Sequence, residues 1–416
     1  MKQGAVVVMP RRPSEGPPSS GLWTLAAGWA AAARRRFGNA WILTLDGVAT
    51  PEQARTFADP AATHVGPKPR LGAVPTALRT AAKDVVRGWA GRRASRAGEP
   101  GEWCDYDLVF VWQHHDLFQS AGTAIARRHR CPLVTFVDAP QVWEAARWGV
   151  RRPGWARLVE RYGEVPQLLA SDVIACVSDE VAREVRRLGA PRERVLVVPN
   201  AVDPDQFAPN GRGAAVRERH DLDGATVVGW VGTFRRFQGV QTVVEAFARV
   251  RAARSRVRLL LVGDGAERAP VEALVARLGV RDSVTFTGAV SPGDIPDYLD
   301  ALDVAVVSAR ADQGFHYSPL KLREYLACAR ATVAPRVGEI PHVVADGTHA
   351  LLYEPGDAAD LAAKIDVLCS DAAVRARLGA AGRALVLATA TWDIRLAELL
   401  DSEPFRAAGR LRSDST

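Results

Sequence analysis

Short apolar, β-branched runs alternate with helical stretches twice along this chain, and a turn-rich break separates the two series. The first series contains Ala5–Met9, Ala40–Leu45, Asp107–Trp112, Pro132–Val137, Val173–Ser178 and Arg194–Pro199. The second contains TVVGWVG (226–232), VRLLLVG (257–263), SVTFTG (283–288), VAVVS (304–308), ATVAP (331–335) and ALLYEP (350–355). Runs without polar alternation suit strands covered on both faces, which means parallel strands under crossover helices. The chain therefore reads as α/β, with two Rossmann-like domains facing a cleft. At 416 residues it is too long for one typical core. The break Pro204–Gly213 (PDQFAPNGRG) reads as the linker, between a first domain over 1–203 and a second over 214–387. Ligands in such folds sit beyond the carboxyl ends of the strands. Thr391–Leu400 reads as a helix and Ala407–Thr416 as a frayed tail.

The segment Phe315–Arg336, FHYSPLKLREYLACARATVAPR, carries the densest chemistry. Ser318 reads as a helix N-cap with Pro319 at the first helical position and Leu320 behind it. A helix start with free N–H groups attracts anions. Lys321, one of five lysines beside forty-nine arginines, stands next to it, and Glu324 follows within a turn. A carboxylate there suits two adjacent hydroxyls. Phosphate at the helix start and ribose at the carboxylate together describe a nucleotide diphosphate.

Other loops at predicted strand ends carry further candidates. In Gly232–Gly239 (GTFRRFQG), Gly232 and Thr233 give backbone room, and Arg235 or Arg236 clamps a diphosphate. Gln238 offers a neutral hydrogen bond there. Gly263 and Asp264 make either a nucleotide contact or an ordinary tight turn. In the first half, Gly21 opens the helix after the first strand and lets a phosphate or sugar approach. His114 and His115 follow a strand, and only one of them can face the cleft, because neighbours on an extended strand point apart. Asp138 follows another strand and either binds an acceptor or caps the next helix.

The chain resembles the retaining GT-B glycosyltransferases of family 4. The resemblance rests on VVPNAVDPDQF (197–207), GWVGTFRRFQGVQTVVEAF (229–247), LLLVGDG (259–265), FTGAVSPGDIPDYLDALDVAVV (286–307), the 315–336 segment and VGEIPHVVADG (337–347), in that order. It implies front-face transfer from a nucleotide-diphosphate sugar, with UDP or GDP as the nucleotide and no resident cofactor. The implied roles are leaving-group stabilisation by Arg235 and Lys321, a ribose contact at Glu324, and backbone contacts to the base near Val290. Phe315 and His316 then lie near the donor sugar. The family places an acid eight residues before Glu324, where this chain has His316. It often has Lys or His where this chain has Gln238, and a subgroup has an amide where this chain has Asp138. The terminal helix, within 388–416, is implied to cross back to the first domain. The acceptor is read as a small molecule, with a lipid-linked or polysaccharide acceptor, or a catalytically silent sugar-nucleotide binder, as alternatives.

Composition excludes several classes. The net charge of +7 is carried almost wholly by arginine, yet no RNP string, zinc-finger spacing or basic zipper is present, which argues against nucleic acid. The five cysteines, Cys104, Cys131, Cys176, Cys328 and Cys369, form no CxxC pair, which argues against zinc and for a reducing cytoplasm. The pairs Asp105/Asp107, Asp203/Asp205 and Asp221/Asp223 fall in turns, so metal is not expected. Gly21–Ala33 is uncharged but too short to span a bilayer. The basic stretch Thr80–Arg96, with Trp89 among its arginines, suits peripheral membrane contact.

Overall fold

The computed structural model describes residues 2–13, 20–57, 76–94, 100–312 and 314–413. They form two compact units. The first holds the described residues up to Asn200 and those from Trp392 onward, and the second holds Ala201–Thr391. The first sheet contains β1 (Lys2–Val8), β2 (Ala40–Thr44), β3 (Gly47–Ala49), β4 (Tyr106–His114), β5 (Leu133–Val137), β6 (Val173–Cys176) and β7 (Val195–Val197). Its order is β3-β2-β1-β4-β5-β6-β7, parallel except for the β2–β3 pair. The second contains β8 (Thr226–Val231), β9 (Val257–Val262), β10 (Val284–Gly288), β11 (Val304–Val306), β12 (Ala331–Pro335) and β13 (Leu351–Tyr353), ordered β10-β9-β8-β11-β12-β13. All pairs of this second sheet are parallel.

The apolar runs behave as their composition demands. The side chains of Ala5–Val8, Leu133–Val137 and Leu259–Val262 are buried, and helices cover both faces. Each sheet reverses its strand order once, at β1/β4 and at β8/β11. Loops diverge at such a reversal and leave room for a ligand beyond the strand ends. The sequence reading missed β3, which pairs back on β2 through a tight turn at Leu45 and Asp46. Gly47 takes φ 132°, a conformation that favours glycine.

Two expectations need correction. The expected linker Pro204–Gly213 lies inside the second unit. Phe207 is buried in that unit's core, Asn210 Nδ2 donates to Asp297 Oδ1 at 2.6 Å, and the Gly213 N–H donates to Asp300 Oδ2 at 3.1 Å. The change of unit falls earlier, at Asn200/Ala201, where Val202 bridges Thr391 and its N–H donates to the Ala390 carbonyl at 3.0 Å. The expected frayed tail is a helix, Glu403–Ser413, whose Phe405 ring meets Phe110 edge-on at 6.1 Å and whose Ala408 is buried. Residues 414–416 of that tail lie outside the described residues.

The preceding helix, Trp392–Asp401, joins the first unit through one aromatic anchor. Trp392 is buried against Trp29 (ring centroids 5.8 Å apart) and fills the space over Gly28, where any Cβ would collide with the indole. Arg35 closes the edge with a two-pronged bond to Asp393 at 3.0 and 2.8 Å. Trp392→Ala removes a fully buried ring, so it should lower the unfolding free energy by about 3–5 kcal/mol. Urea unfolding followed by circular dichroism measures this, and a change well below 1 kcal/mol would refute the anchor.

Candidate functional site

The second unit gathers its polar groups at the β8/β11 reversal. After β8 the chain turns at Gly232 (φ 155°), and after β9 it turns at Gly263 (φ 124°). These turns pack on each other: the Gly232 N–H donates to the Val262 carbonyl at 3.0 Å, and a Cβ on Gly263 would collide with the Gly232 carbonyl. Side chains are excluded here because the backbones and one ammonium fill the space. A Cβ on Gly232 would lie 2.8 Å from Lys321 Nζ.

Lys321 comes from the helix Leu320–Ala327 and reaches back to β8. Its ammonium donates to Gln238 Oε1 at 2.8 Å and lies 4.3 Å from the centroid of the buried Trp230 ring. The electron-rich ring face attracts the cation. Gln238 is itself fixed, because Trp230 Nε1 donates to Ser308 Oγ at 2.8 Å and Ser308 Oγ donates to the Gln238 carbonyl. Gln238 thus orients the lysine by accepting its hydrogen bond, rather than replacing a missing cation by donating. Burial pulls the Lys321 pKa down to about 7, and Glu324, three residues on, opposes the shift. Burial likewise lifts Glu324 to about 7, opposed by Lys321.

The helix start differs from the sequence expectation. Pro319 occupies the N-cap position, with extended backbone (φ −72°, ψ 115°), and Leu320 is the first helical residue. Ser318 makes no side-chain cap. Its Oγ donates to Glu339 Oε1, which also accepts from Arg323 Nη1 at 2.9 Å. The buried Arg323 guanidinium fixes that carboxylate, which in turn draws the hydroxyl away from the helix end. The first N–H groups therefore carry no side-chain cap, as an anion site requires. His316 is buried beside the Tyr317 ring, edge-on at 5.6 Å, and Phe315 is buried with its ring 4.2 Å from Tyr317.

The remaining candidates of this unit are more dispersed. Arg235 and Arg236 are exposed on the loop after Gly232, and Thr233 is partly exposed. The Thr233 carbonyl accepts the Arg235 N–H at 2.8 Å. Asp264 is engaged: Oδ1 accepts the Gly265 N–H at 2.7 Å, and Oδ2 pairs with Arg268 at 3.2 Å. Its carbonyl accepts the Phe234 N–H at 2.9 Å. Val290 follows β10 and packs on the core. Sequence reasoning missed Trp230, Ser308, Arg323 and Glu339. A signal was present for Glu339, a lone charge among the apolar residues of VGEIPHVV.

In the first unit, β4 and β5 deliver His114 and Asp138 side by side, with Nε2 2.8 Å from Asp138 Oδ2. Asp138 does not cap the next helix, Gln141–Arg147. The buried Glu164 does so instead, accepting the N–H groups of Gln141 and Val142. His115 points the other way, with Nδ1 2.5 Å from Gln167 Oε1 and Nε2 3.5 Å from Glu164 Oε1. The alternation of an extended strand separates the two imidazoles. Arg11, after β1, pairs with Asp116 at 2.9 Å at the same strand ends. Gly21 is the second residue of the helix Ser20–Phe37. Among the described residues, no group of three or more His, Cys, Asp or Glu side chains is placed to hold a metal ion.

Two family profiles match this chain: "Glycosyltransferase Family 4" over residues 19–206 and "Glycosyl transferases group 1" over residues 225–371. A D-inositol 3-phosphate glycosyltransferase of Xylanimonas cellulosilytica is 31% identical over 310 residues, covering 71% of each chain. The chain belongs to the group 1, family 4 glycosyltransferases. The 2-deoxystreptamine glucosyltransferase of Streptomyces kanamyceticus is 32% identical over 262 residues, covering 62% of this chain and 59% of that one. Several of the curated relatives are thus matched over less than two thirds of their length. This glycosyltransferase chain superposes on HepE of Anabaena, solved with UDP, with a TM-score of 0.64 and 17% identity over 97% and 100% of the two chains. That likeness shows the GT-B fold, with two Rossmann-like domains.

An anion bound beside the half-buried Lys321 would have a pH-sensitive affinity. A diphosphate favours the ammonium, so it raises the Lys321 pKa above its value of about 7 in the free protein. Binding should then take up a proton above pH 7, and affinity should fall by up to about tenfold per pH unit as pH rises. Glu324 acts in the opposite sense below pH 7, where hydroxyl donors favour its ionised form. Calorimetry of nucleoside diphosphate binding at pH 8, in buffers of different ionisation heat, measures the proton. Uptake that persists in Lys321→Met would remove Lys321 from this role.

Proposed function

We propose that this protein is a retaining glycosyltransferase that moves a sugar from a nucleoside diphosphate sugar to a small polyhydroxylated acceptor. The observation that carries the reading is the ammonium of Lys321, held by Gln238 and Trp230 beside an uncapped helix start, with Glu324 three residues on. A cation and free N–H groups stabilise a leaving diphosphate, and a carboxylate accepts from ribose hydroxyls. The solved neighbour HepE with UDP favours a uridine nucleotide, and GDP is the alternative. Relatives named for 2-deoxystreptamine and D-inositol 3-phosphate favour a cyclitol-like acceptor.

In the proposed reaction the bond from the anomeric carbon to the diphosphate oxygen breaks, and the acceptor oxygen bonds to that carbon from the same face. The departing diphosphate oxygen takes the acceptor proton. Lys321 and the helix start bear the charge that develops on the diphosphate, and Arg235 swings in from the exposed loop. His316 lies near the donor sugar. His114 and Asp138 hold the acceptor hydroxyls, with the imidazole fixing the carboxylate. No metal is required, because fixed cations and N–H groups serve the leaving group. Five scattered cysteines that form no CxxC pair fit a reducing cytoplasm, and no helix among the described residues is long and apolar enough to cross a membrane.

A panel of UDP- and GDP-sugars with cyclitol acceptors, read by mass spectrometry, tests the activity, and thermal stabilisation by nucleotides without turnover on any donor would favour a silent binder. On the active donor, Lys321→Ala should lower kcat by about 10²-fold or more with a smaller change in KM, because the leaving-group charge grows in the transition state. A change confined to KM would make the lysine a binding group only. Turnover should also persist in excess EDTA, and loss that Mg²⁺ or Mn²⁺ reverses would contradict the metal-free reading.

A further inference from the structure

The helix Thr76–Ala94 in the first unit divides its surface by stripe. Thr80, Asp84, Gly88 and Gly91, spaced by four, four and three residues, face the body of the unit. Thr80, Asp84 and Gly91 are buried, Gly88 packs against the Phe118 ring, and Gly91 lies so close to the Phe118 carbonyl that a Cβ would collide with it. Asp84 makes the attachment specific. It receives a two-pronged bond from the buried Arg152 at 2.8 and 3.0 Å and a third from Trp155 Nε1 at 3.2 Å. The segment around residues 151–164 is thereby clamped to this helix, and its Gly163 packs on the same Phe118 ring.

The outer surfaces of the two clamped pieces are unlike an ordinary solvated face. Leu78, Val85, Val86 and Trp89 fall on one helical stripe and are 61–72% exposed, and Leu158 and Tyr162 on the neighbouring segment are 55% and 61% exposed. Among the described residues of these two pieces the exposed charges include Lys83 and Arg87 on the next stripe, and Arg151, Arg157 and Arg161 on the partner segment, all positive. The carboxylates of both pieces are engaged: Asp84 by Arg152, Glu160 by Arg187 at 3.1 Å, and Glu164 by the helix start at Gln141. Bulky apolar groups left in water are costly and mark an interaction surface. Interleaved with cations, and with Trp and Tyr among them, they match the chemistry of a bilayer interface, where rings sit at headgroup level and cations meet phosphates.

We propose that this face docks on an anionic lipid surface. The apolar stripe enters the headgroup region and the five cations meet lipid phosphates, while the Asp84–Arg152–Trp155 clamp keeps both pieces in one plane of contact. The proposal is independent of the donor chemistry in the second unit.

Sedimentation of the full-length protein with phosphatidylcholine vesicles, with or without phosphatidylglycerol, tests it without recourse to turnover. The protein should co-sediment with the anionic vesicles only, less so as salt rises. Lys83→Glu combined with Arg87→Glu should reduce partitioning by about 10²-fold or more, from the contribution of each cation near an anionic surface. Val86→Ser combined with Trp89→Ser should reduce it by about tenfold or more. These side chains are exposed, so thermal melts of the variants should match the parent. Absence of binding to anionic vesicles, equal binding to both kinds, or binding unaffected by the substitutions would overturn the proposal. So would concentration-dependent self-association abolished by the same substitutions in the absence of vesicle binding, which would assign the face to a second copy.

Discussion

A single half-buried ammonium organises the polar end of the second unit. Lys321 is pulled out of water, which costs free energy, and three features offset that cost: the Trp230 ring face, the Gln238 oxygen and the nearby Glu324. Each makes a demand on the sequence. Residue 232 favours glycine because its φ of 155° strains other residues and because a side chain there would displace the ammonium. Ser308 is needed because it ties Trp230 to the Gln238 backbone. The result is a cation whose protonation is poised near neutrality until an anion arrives.

A second buried pair sets the helix beside it. Arg323 and Glu339 lie at the foot of Leu320–Ala327, and their contact with Ser318 leaves the first turn uncapped. A capped helix is more stable in isolation, by about 1 kcal/mol. Here that local preference yields to an ion pair formed by residues sixteen positions apart. The first unit repeats the theme with Glu164. Wholly buried, it satisfies the start of the Gln141–Arg147 helix and meets His115, which leaves Asp138 unneeded as a cap and available to His114. In the first unit a buried carboxylate takes over a local cap and leaves Asp138 to His114, whereas in the second a part-buried carboxylate draws Ser318 away from the helix start.

The two units also differ in what fixes them. The second is closed by backbone turns and by aliphatic packing around rings such as Trp230, Phe234 and Tyr325. The first depends on large aromatic contacts, with Trp29, Trp112 and Phe136 stacked under Trp392 and Phe118 seated between two glycine-bearing pieces.

The sequence by itself determined the strands, their parallel character and the residue types at their carboxyl ends. Apolar periodicity is local, and a run such as VRLLLV has no stable place except inside a covered sheet. It also marked Lys321 and Glu324, since both follow a helix start within one turn, and the divergence of His114 from His115, which follows from strand geometry alone. Tertiary structure decided the rest. The linker was placed three residues late because Phe207 is held by a distant core, which turn propensity does not report. Ser318 lost its cap to Glu339, and Gln238 became an acceptor only because Lys321 arrives from eighty-three residues away. The terminal helix stays ordered because Phe405 finds Phe110. Local sequence fixes which groups can bond, whereas the choice among partners waits until the fold brings distant ones within about 3 Å.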